Sequence, residues 1–229
     1  MHIYAISDLH LSGFKPKPMN IFGENWEDHW KKIKADWHER VSGEDLVLIP
    51  GDISWAMKLS EAKQDLDEIC EMPGKKLLLR GNHDYWWSSI SRLREILYND
   101  TFVLQNDAFE FEDVSIAGTR GWICPNEREF RPEDEKIYLR EVERLRLSLI
   151  KVRPREDKDI IVMMHFPPFN ENREDNGFTE LFEKFGVPKV LYGHLHDASA
   201  QNSFNGIHNG IEYQNVSCDF LDFKLLKVR

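Results

Sequence analysis

Short apolar runs alternate with amphipathic stretches along the chain. Residues 2–7, 46–49, 76–79, 160–164 and 190–192 are brief runs bounded by polar or turn residues, the pattern of strands buried on both faces. Between them, apolar side chains recur at helical spacing. Trp26, Ile33, Trp37 and Val41, with Trp30 on the same face, predict a helix over 25–41. Ser60 is placed to cap a helix carrying Ala62, Leu66 and Ile69 and stopping near Pro73-Gly74. Ile90, Leu93 and Leu97 predict a helix over 88–98. Ile137, Val142, Leu145, Leu149 and Val152 predict a long one over 133–152, and a shorter one covers 178–185. Phe109, Phe111, Val114 and Ile116 read instead as two antiparallel strands turning at Glu112-Asp113. Asn205-Gly206 and Asn209-Gly210 punctuate a β-rich end that closes with residues 223–228.

Strands and helices in alternation, with no Pro/Gly/Ser-rich linker, repeat or low-complexity tract, predict one α/β domain over 1–229 with parallel and antiparallel strands. At 229 residues such a domain buries a large core without disulfides or structural metal. A hydrophobic fraction of 41% with 12% aromatic residues excludes a disordered chain. No apolar run nears the roughly 20 residues of a membrane helix, and residues 1–7 read as a strand rather than a secretory signal. The net charge of −10 argues against extensive nucleic-acid binding, which is built on Lys and Arg. It leaves a phosphate-bearing substrate open, because bound cations reverse the local sign. Cys70, Cys124 and Cys218 form no CxxC pair and predict inert thiols in a reducing, cytoplasmic setting.

The unusual feature lies just past the apolar runs. They end in Asp8-Leu9-His10, Gly51-Asp52, Gly81-Asn82-His83-Asp84, His165 and Gly193-His194-Leu195-His196. The carboxyl ends of strands in an α/β sheet are where ligands bind. There, Asp8, Asp52 and Asp84 would meet Asn82 and five histidines. Carboxylates gathered so closely repel one another and are costly to desolvate. Divalent cations remove that cost, and a nitrogen and oxygen donor set without thiolate suits Mn, Fe, Zn or Ni. Taken singly, His10 reads equally as a satisfied histidine and His83 as part of an ordinary turn. It is the ordered set of five blocks, each at a strand end, that points to a metal site.

These blocks resemble the calcineurin-like metallophosphoesterase superfamily, over nearly the whole chain. The stretches MHIYAISDLHLSG and LLLRGNHDYWW are most similar to its compact bacterial phosphohydrolases. The resemblance implies an αββα sandwich, two packed mixed β-sheets flanked by helices. It also implies two divalent ions, one held by Asp8, His10 and His196, the other by Asn82, His165 and His194, with Asp52 bridging them. The implied reaction is hydrolysis of a phosphomonoester or small phosphodiester. A hydroxide between the metals attacks phosphorus, and His83, free of metal, protonates the leaving group. The superfamily's protein phosphatases carry Gly-Asp-x-x-Asp-Arg-Gly. Here the stretch is Gly51-Asp52-Ile53-Ser54-Trp55-Ala56-Met57, without the aspartate that pairs with the catalytic histidine, which argues against a protein phosphatase. A binding scaffold and a nuclease are the alternatives on the same fold. Retention of His83 and every ligand disfavours the first, and the acidic balance disfavours the second.

Asp84 is expected to satisfy loop amides or a histidine, not to orient His83, because neighbouring side chains in extended backbone point apart. For substrate contacts, Arg80 and Arg120 are the candidates for binding phosphate, against a reading as surface or ion-paired arginines. Trp86 and Trp87 are not expected both to be buried, which would leave one free to stack a base or line an apolar pocket. Residues 13–30, rich in apolar groups, would form a lid or pocket wall over the metals or pack on the outer sheet, and leave a dimer interface open. His29, His38 and His208 fall outside the blocks and read as surface or structural. The charges over 127–146 read as a solvated helix face.

Overall fold

The computed structural model describes residues 1–153 and 159–229. In chain order the elements are β1 (Ile3–Ala5), α1 (His29–Arg40), β2 (Leu46–Pro50), α2 (Leu59–Cys70), β3 (Lys75–Leu79), α3 (Ile90–Ile96) and β4 (Thr101–Val103). The second half contains β5 (Phe109–Phe111), β6 (Val114–Thr119), α4 (Pro132–Leu149), β7 (Asp159–Met164), α5 (Gly177–Phe185), β8 (Lys189–Tyr192), α6 (Asp197–Gln201), β9 (Gly206–His208), β10 (Ile211–Asn215) and β11 (Leu226–Lys227). One sheet runs β11-β1-β2-β3-β4 and the other β5-β6-β7-β8-β10-β9. Within each the central strands are parallel, and β11, β5 and β9 add antiparallel edges.

The apolar runs are unbroken because each strand is covered twice. Leu46 and Leu48 of β2 face Ile161 and Met163 of β7 in the layer between the sheets. Val47 and Ile49 point the other way, onto Ile33 and Trp37 of α1 and Leu66 and Ile69 of α2. On the far sheet Val162, Met164 and Val190 pack against Tyr138 and Leu145 of α4 and Phe178 and Phe182 of α5. This is the expected sandwich of two mixed sheets between helices. Backbone bonds from Ser7 to Val216 (2.8 Å) and from Cys218 to Ser7 (3.0 Å) join the sheets at the carboxyl ends of β1 and β10. Among the described residues no helix is long and apolar enough to cross a membrane.

Several elements differ from expectation for local reasons. The first helix begins at His29, not 25, because Asp28 adopts a left-handed backbone (φ 52°); Trp26 lies in a preceding 3-10 turn, Glu24–Trp26. Helix α2 starts before Ser60. Its cap is the Glu61 carboxylate, which accepts from the amides of Met57 (3.0 Å) and Lys58 (3.2 Å). β4 and α6 are too short for a periodic signal. Nor is the charged face of α4 wholly solvated. Asp134 and Glu141 are buried, Glu141 accepting from the Thr119 hydroxyl (2.7 Å) and from Arg144 (2.9 Å).

Candidate metal centre

The five strand-end blocks converge on one edge of the sandwich. Asp8, His10 and His196 bring their donor atoms within 4.8 Å of one another, and so do Asp52, His165 and His194. Asp52 stands between the two sets. Its Oδ2 lies 3.9 Å from His10 Nε2 and 3.4 Å from His165 Nε2. Asn82 joins the second set, with Oδ1 at 2.6 Å from His165 Nε2.

The backbone shows why these positions are special. Asp8, His10, Asp52 and His194 all have positive φ (60°, 47°, 51° and 72°), a conformation that costs a non-glycine residue roughly 1–2 kcal/mol. The strain is offset by bonds within the site. The Asp8 carboxylate accepts from the His194 amide (3.0 Å) and Asp52 Oδ1 from the His83 amide (2.8 Å). Glycines allow the loops to close. A side chain at Gly81 would collide with Asp52, and one at Gly193 with Ser7 and Asp8.

The fully buried Asp84 staples two of the loops. Its Oδ1 accepts from Ile53 (2.9 Å), Ser54 (3.2 Å) and Trp86 Nε1 (3.0 Å), and its Oδ2 from Gly81 (2.7 Å). It therefore satisfies loop amides and does not touch the His83 ring. Burial pushes its carboxyl up to about 6 in spite of these bonds.

The charges form a divided cluster. Burial alone would raise Asp8, but the His196 hydrogen bond and the surrounding imidazoles hold it well below the carboxylate range. Burial and the charges of Asp8 and Asp84 drive Asp52 the other way. Burial brings His165 down to about 3 and His194 to about 4. It would also lower His196, but bonds to Asp219 and Asp8 win and lift that imidazole to about 10.

The tautomers fit metal binding. His165 Nδ1 faces the Pro50 carbonyl (3.1 Å) and His196 Nδ1 faces Asp219 (2.8 Å), which leaves each Nε2 turned into the site. His10 and His196 set their Nε2 atoms 3.4 Å apart beside Asp8. Imidazole nitrogens facing each other next to carboxylates, without thiolate, are a donor set that a divalent transition metal satisfies.

His83 lies at the rim, half-buried. Its ring is 4.6 Å from Trp55 and 5.9 Å from His10, centroid to centroid, and burial lowers its pKa from the ordinary value. Residues 13–30 form one wall of the site. Trp26 packs 5.6 Å from His196, Met19 Sδ accepts from Trp55 Nε1 (3.3 Å), and Phe14, Ile21 and Phe22 are exposed. His29 donates to the Leu9 carbonyl (2.9 Å) and is structural, as expected; His38 is exposed and His208 half-buried.

The tryptophan expectation is corrected. Trp86 and Trp87 are both buried, at 2% and 8% exposure. They lie in a turn rather than a strand, so their side chains need not alternate. Their indole nitrogens are spent on Asp84 and on Gln105 (3.1 Å), and Tyr85 is the exposed ring. Arg120 is given to α4, pairing with the buried Glu141 (3.3 Å) and lying over Trp122. Arg80 shares a recess with it, beside Asn106 and Arg144. Neither arginine lines the larger pocket of about 510 Å³ that opens beside His194, floored by Phe166, Phe169, Tyr192 and Phe204 and edged by Arg128 and Arg173. Sequence reasoning missed Asp219, which belongs to no spaced block, and Trp55, which showed only as the residue replacing an aspartate in the block after Asp52.

Comparison with known proteins agrees with the geometry. A curated relative, the Gene 66 protein of Mycobacterium phage L5, is 29% identical over a 114-position alignment taking in 41% of this chain and 55% of that protein, so the chain spans about half the relative's length. Similar solved structures include phosphopantetheinyl hydrolase (PptH) from Mycobacterium tuberculosis (14% identity, 99% of this chain and 95% of that one, TM-score 0.59). TT1561 of Thermus thermophilus is another (13%, 99% and 97%, TM-score 0.55), as is AQ665 of Aquifex aeolicus, a protein of unknown function (17%, 99% and 95%, TM-score 0.52). At these identities they show a shared fold. The model of the calcineurin-like phosphoesterase family matches residues 1–198, and with two candidate metal clusters at its strand ends the chain belongs to that family.

Proposed function

We propose that the chain, as one domain over residues 1–229, is a dinuclear metal-dependent phosphohydrolase of small phosphomonoesters or phosphodiesters. The observation that carries this reading is Asp52 standing between two complete donor sets, with the half-buried imidazole of His83 at their rim. Asp8, His10 and His196 would hold one divalent ion, and Asn82, His165 and His194 the other, with Asp52 touching both. Two such ions, Mn, Fe, Zn or Ni by the donor chemistry, supply Lewis-acid stabilisation of the phosphoryl oxygens and activate the attacking water.

The remaining work belongs to the chain. Asp84 ties the Asp52 loop to the loop of Asn82 and His83, so ligand and acid keep one geometry. The His83 amide is bonded to Asp52, and its ring would hand a proton to the leaving oxygen. The aromatic pocket beside His194 would receive an organic group of the substrate. The acidic balance favours a small substrate over a nucleic acid, and three buried, free cysteines suit a cytoplasmic, reducing setting.

The test is elemental analysis of purified protein together with hydrolysis of bis-aryl and mono-aryl phosphates by the wild type and His83→Ala. Near two metals per chain and a fall of about 10²–10⁴-fold in the variant are expected. Metal-loaded wild type that hydrolyses neither ester would overturn the reading, and the preferred ester would separate phosphatase from phosphodiesterase.

A further inference from the structure

The four ligand histidines are held in different ways. His165 and His196 are fixed by hydrogen bonds from Nδ1, to Pro50 and Asp219. His194 lies 4.1 Å from the Phe166 ring. His10 is buried, and its Nδ1 has no hydrogen-bond partner among the described residues. What fixes its plane is a ring stack on Trp55, with centroids 4.7 Å apart and planes within 21°. The same indole lies 4.6 Å from His83, tilted by 50°. A single half-buried ring therefore touches one ligand of the first donor set and the proposed proton donor.

Trp55 is itself anchored. Its backbone amide donates to Leu11 (2.9 Å), its indole nitrogen to Met19 Sδ (3.3 Å), and Lys17 Nζ sits 4.1 Å from the ring centroid. Two of these three contacts come from the 13–30 segment, which thereby connects to the site. In sequence Trp55 stands three residues after Asp52, where the protein-phosphatase block has an aspartate. An indole there gives His83 a face to rest on and no carboxylate.

We infer that Trp55 is a positioning residue for both His10 and His83, fixing by ring packing an imidazole whose Nδ1 has no partner among the described residues and the rim imidazole beside it. The inference rests on the proposed roles of those histidines. Losing the ring lets His10 rotate away from its metal-binding plane and lets His83 drift from the leaving oxygen. The second effect matters most when that oxygen is a poor leaving group, because a stable phenolate departs without a proton.

The experiment compares wild type, Trp55→Leu and Trp55→Phe on 4-nitrophenyl phosphate and phenyl phosphate, and measures Mn²⁺ binding by calorimetry without substrate. In Trp55→Leu, kcat on phenyl phosphate falls about 10–100-fold and on 4-nitrophenyl phosphate within about threefold, with KM nearly constant. One of two Mn²⁺ binding events weakens about tenfold, the size of effect seen when a ligand loses its orienting partner. Trp55→Phe restores most of both. Equal losses on the two esters without rescue by phenylalanine, or unchanged kinetics and unchanged Mn²⁺ binding, overturn the inference. Met19→Ala loosens the ring while keeping it and moves every readout the same way by less, which serves if Trp55→Leu does not fold. Should the wild type hydrolyse neither these monoesters nor a bis-aryl phosphate, the phosphohydrolase reading fails, and Mn²⁺ binding still decides whether Trp55 orients His10.

Discussion

The two donor sets use the same residue types and differ in where protons sit. In the second set burial outweighs the attraction of nearby Asp8, and the His165 and His194 imidazoles stay neutral far below their ordinary pKa. In the first set His196 is caught between Asp8 and Asp219, and its imidazole keeps a proton far above neutrality. Identical side chains thus reach opposite protonation states because His196 is hydrogen-bonded to two carboxylates, whereas burial dominates at His10, His165 and His194. A cation entering the second set finds vacant nitrogen lone pairs. One entering the first must displace a proton.

The largest effect should come from removing the residue the sets share. Asp52→Ala is expected to lower activity at least ~10³-fold and the metal content from near two per chain to one or fewer, read by elemental analysis. Retention of two metals would show that the sets are independent. Next in size is Asp219→Asn, which takes the orienting carboxylate from His196. The first metal-binding event should weaken about 10–100-fold while the second stays put, a split that calorimetry resolves. Proton release is the third effect. At pH 7.5 His196 is protonated before metal binds and neutral afterwards, so saturation should free at least one proton, measured as the dependence of binding heat on buffer ionisation enthalpy. His196→Gln should lower that release by about one proton.

The smallest effect concerns the metal-free protein. His194 titrates near 4 when folded and near 6.5 when unfolded, so below 6.5 the unfolded chain binds the extra proton. Stability from this group is complete above 6.5 and lost as pH falls toward 4. Partial exposure tempers the magnitude. Between pH 7 and 5 the wild type should lose about 1 kcal/mol relative to His194→Gln, read from urea midpoints. A gap that widens in the opposite direction would contradict the burial of a neutral imidazole.

Much of the site was legible because its residues sit in short blocks after apolar strands, and parallel strands place their carboxyl ends together. The buried strands were legible for the same reason, being continuous runs. What escaped lies where tertiary contacts outrank local pattern. Helical spacing places Trp26 and Trp30 on one face, yet the left-handed Asp28 separates them. Two adjacent indoles in a strand or turn are not expected to share a buried face, yet this turn buries both. Glu141 looks like part of a solvated charge pattern, and only the fold brings Thr119 and Arg120 to it, beside Arg144 one turn along the helix. Asp219 obeys no spacing rule, because its role depends on the loop after β10 meeting His196 from 23 residues away. Aspartate and histidine tolerate left-handed backbone better than most residues, yet no local pattern singled out Asp8, His10, Asp52 and His194 for it.

The most direct test of two metal sites sharing Asp52 is the anomalous difference map of a crystal of this protein grown with Mn²⁺. The account predicts two peaks, one among Asp8, His10 and His196, the other among Asn82, His165 and His194, both in contact with Asp52. A single peak, or two peaks of which either lies outside these residues, would contradict it.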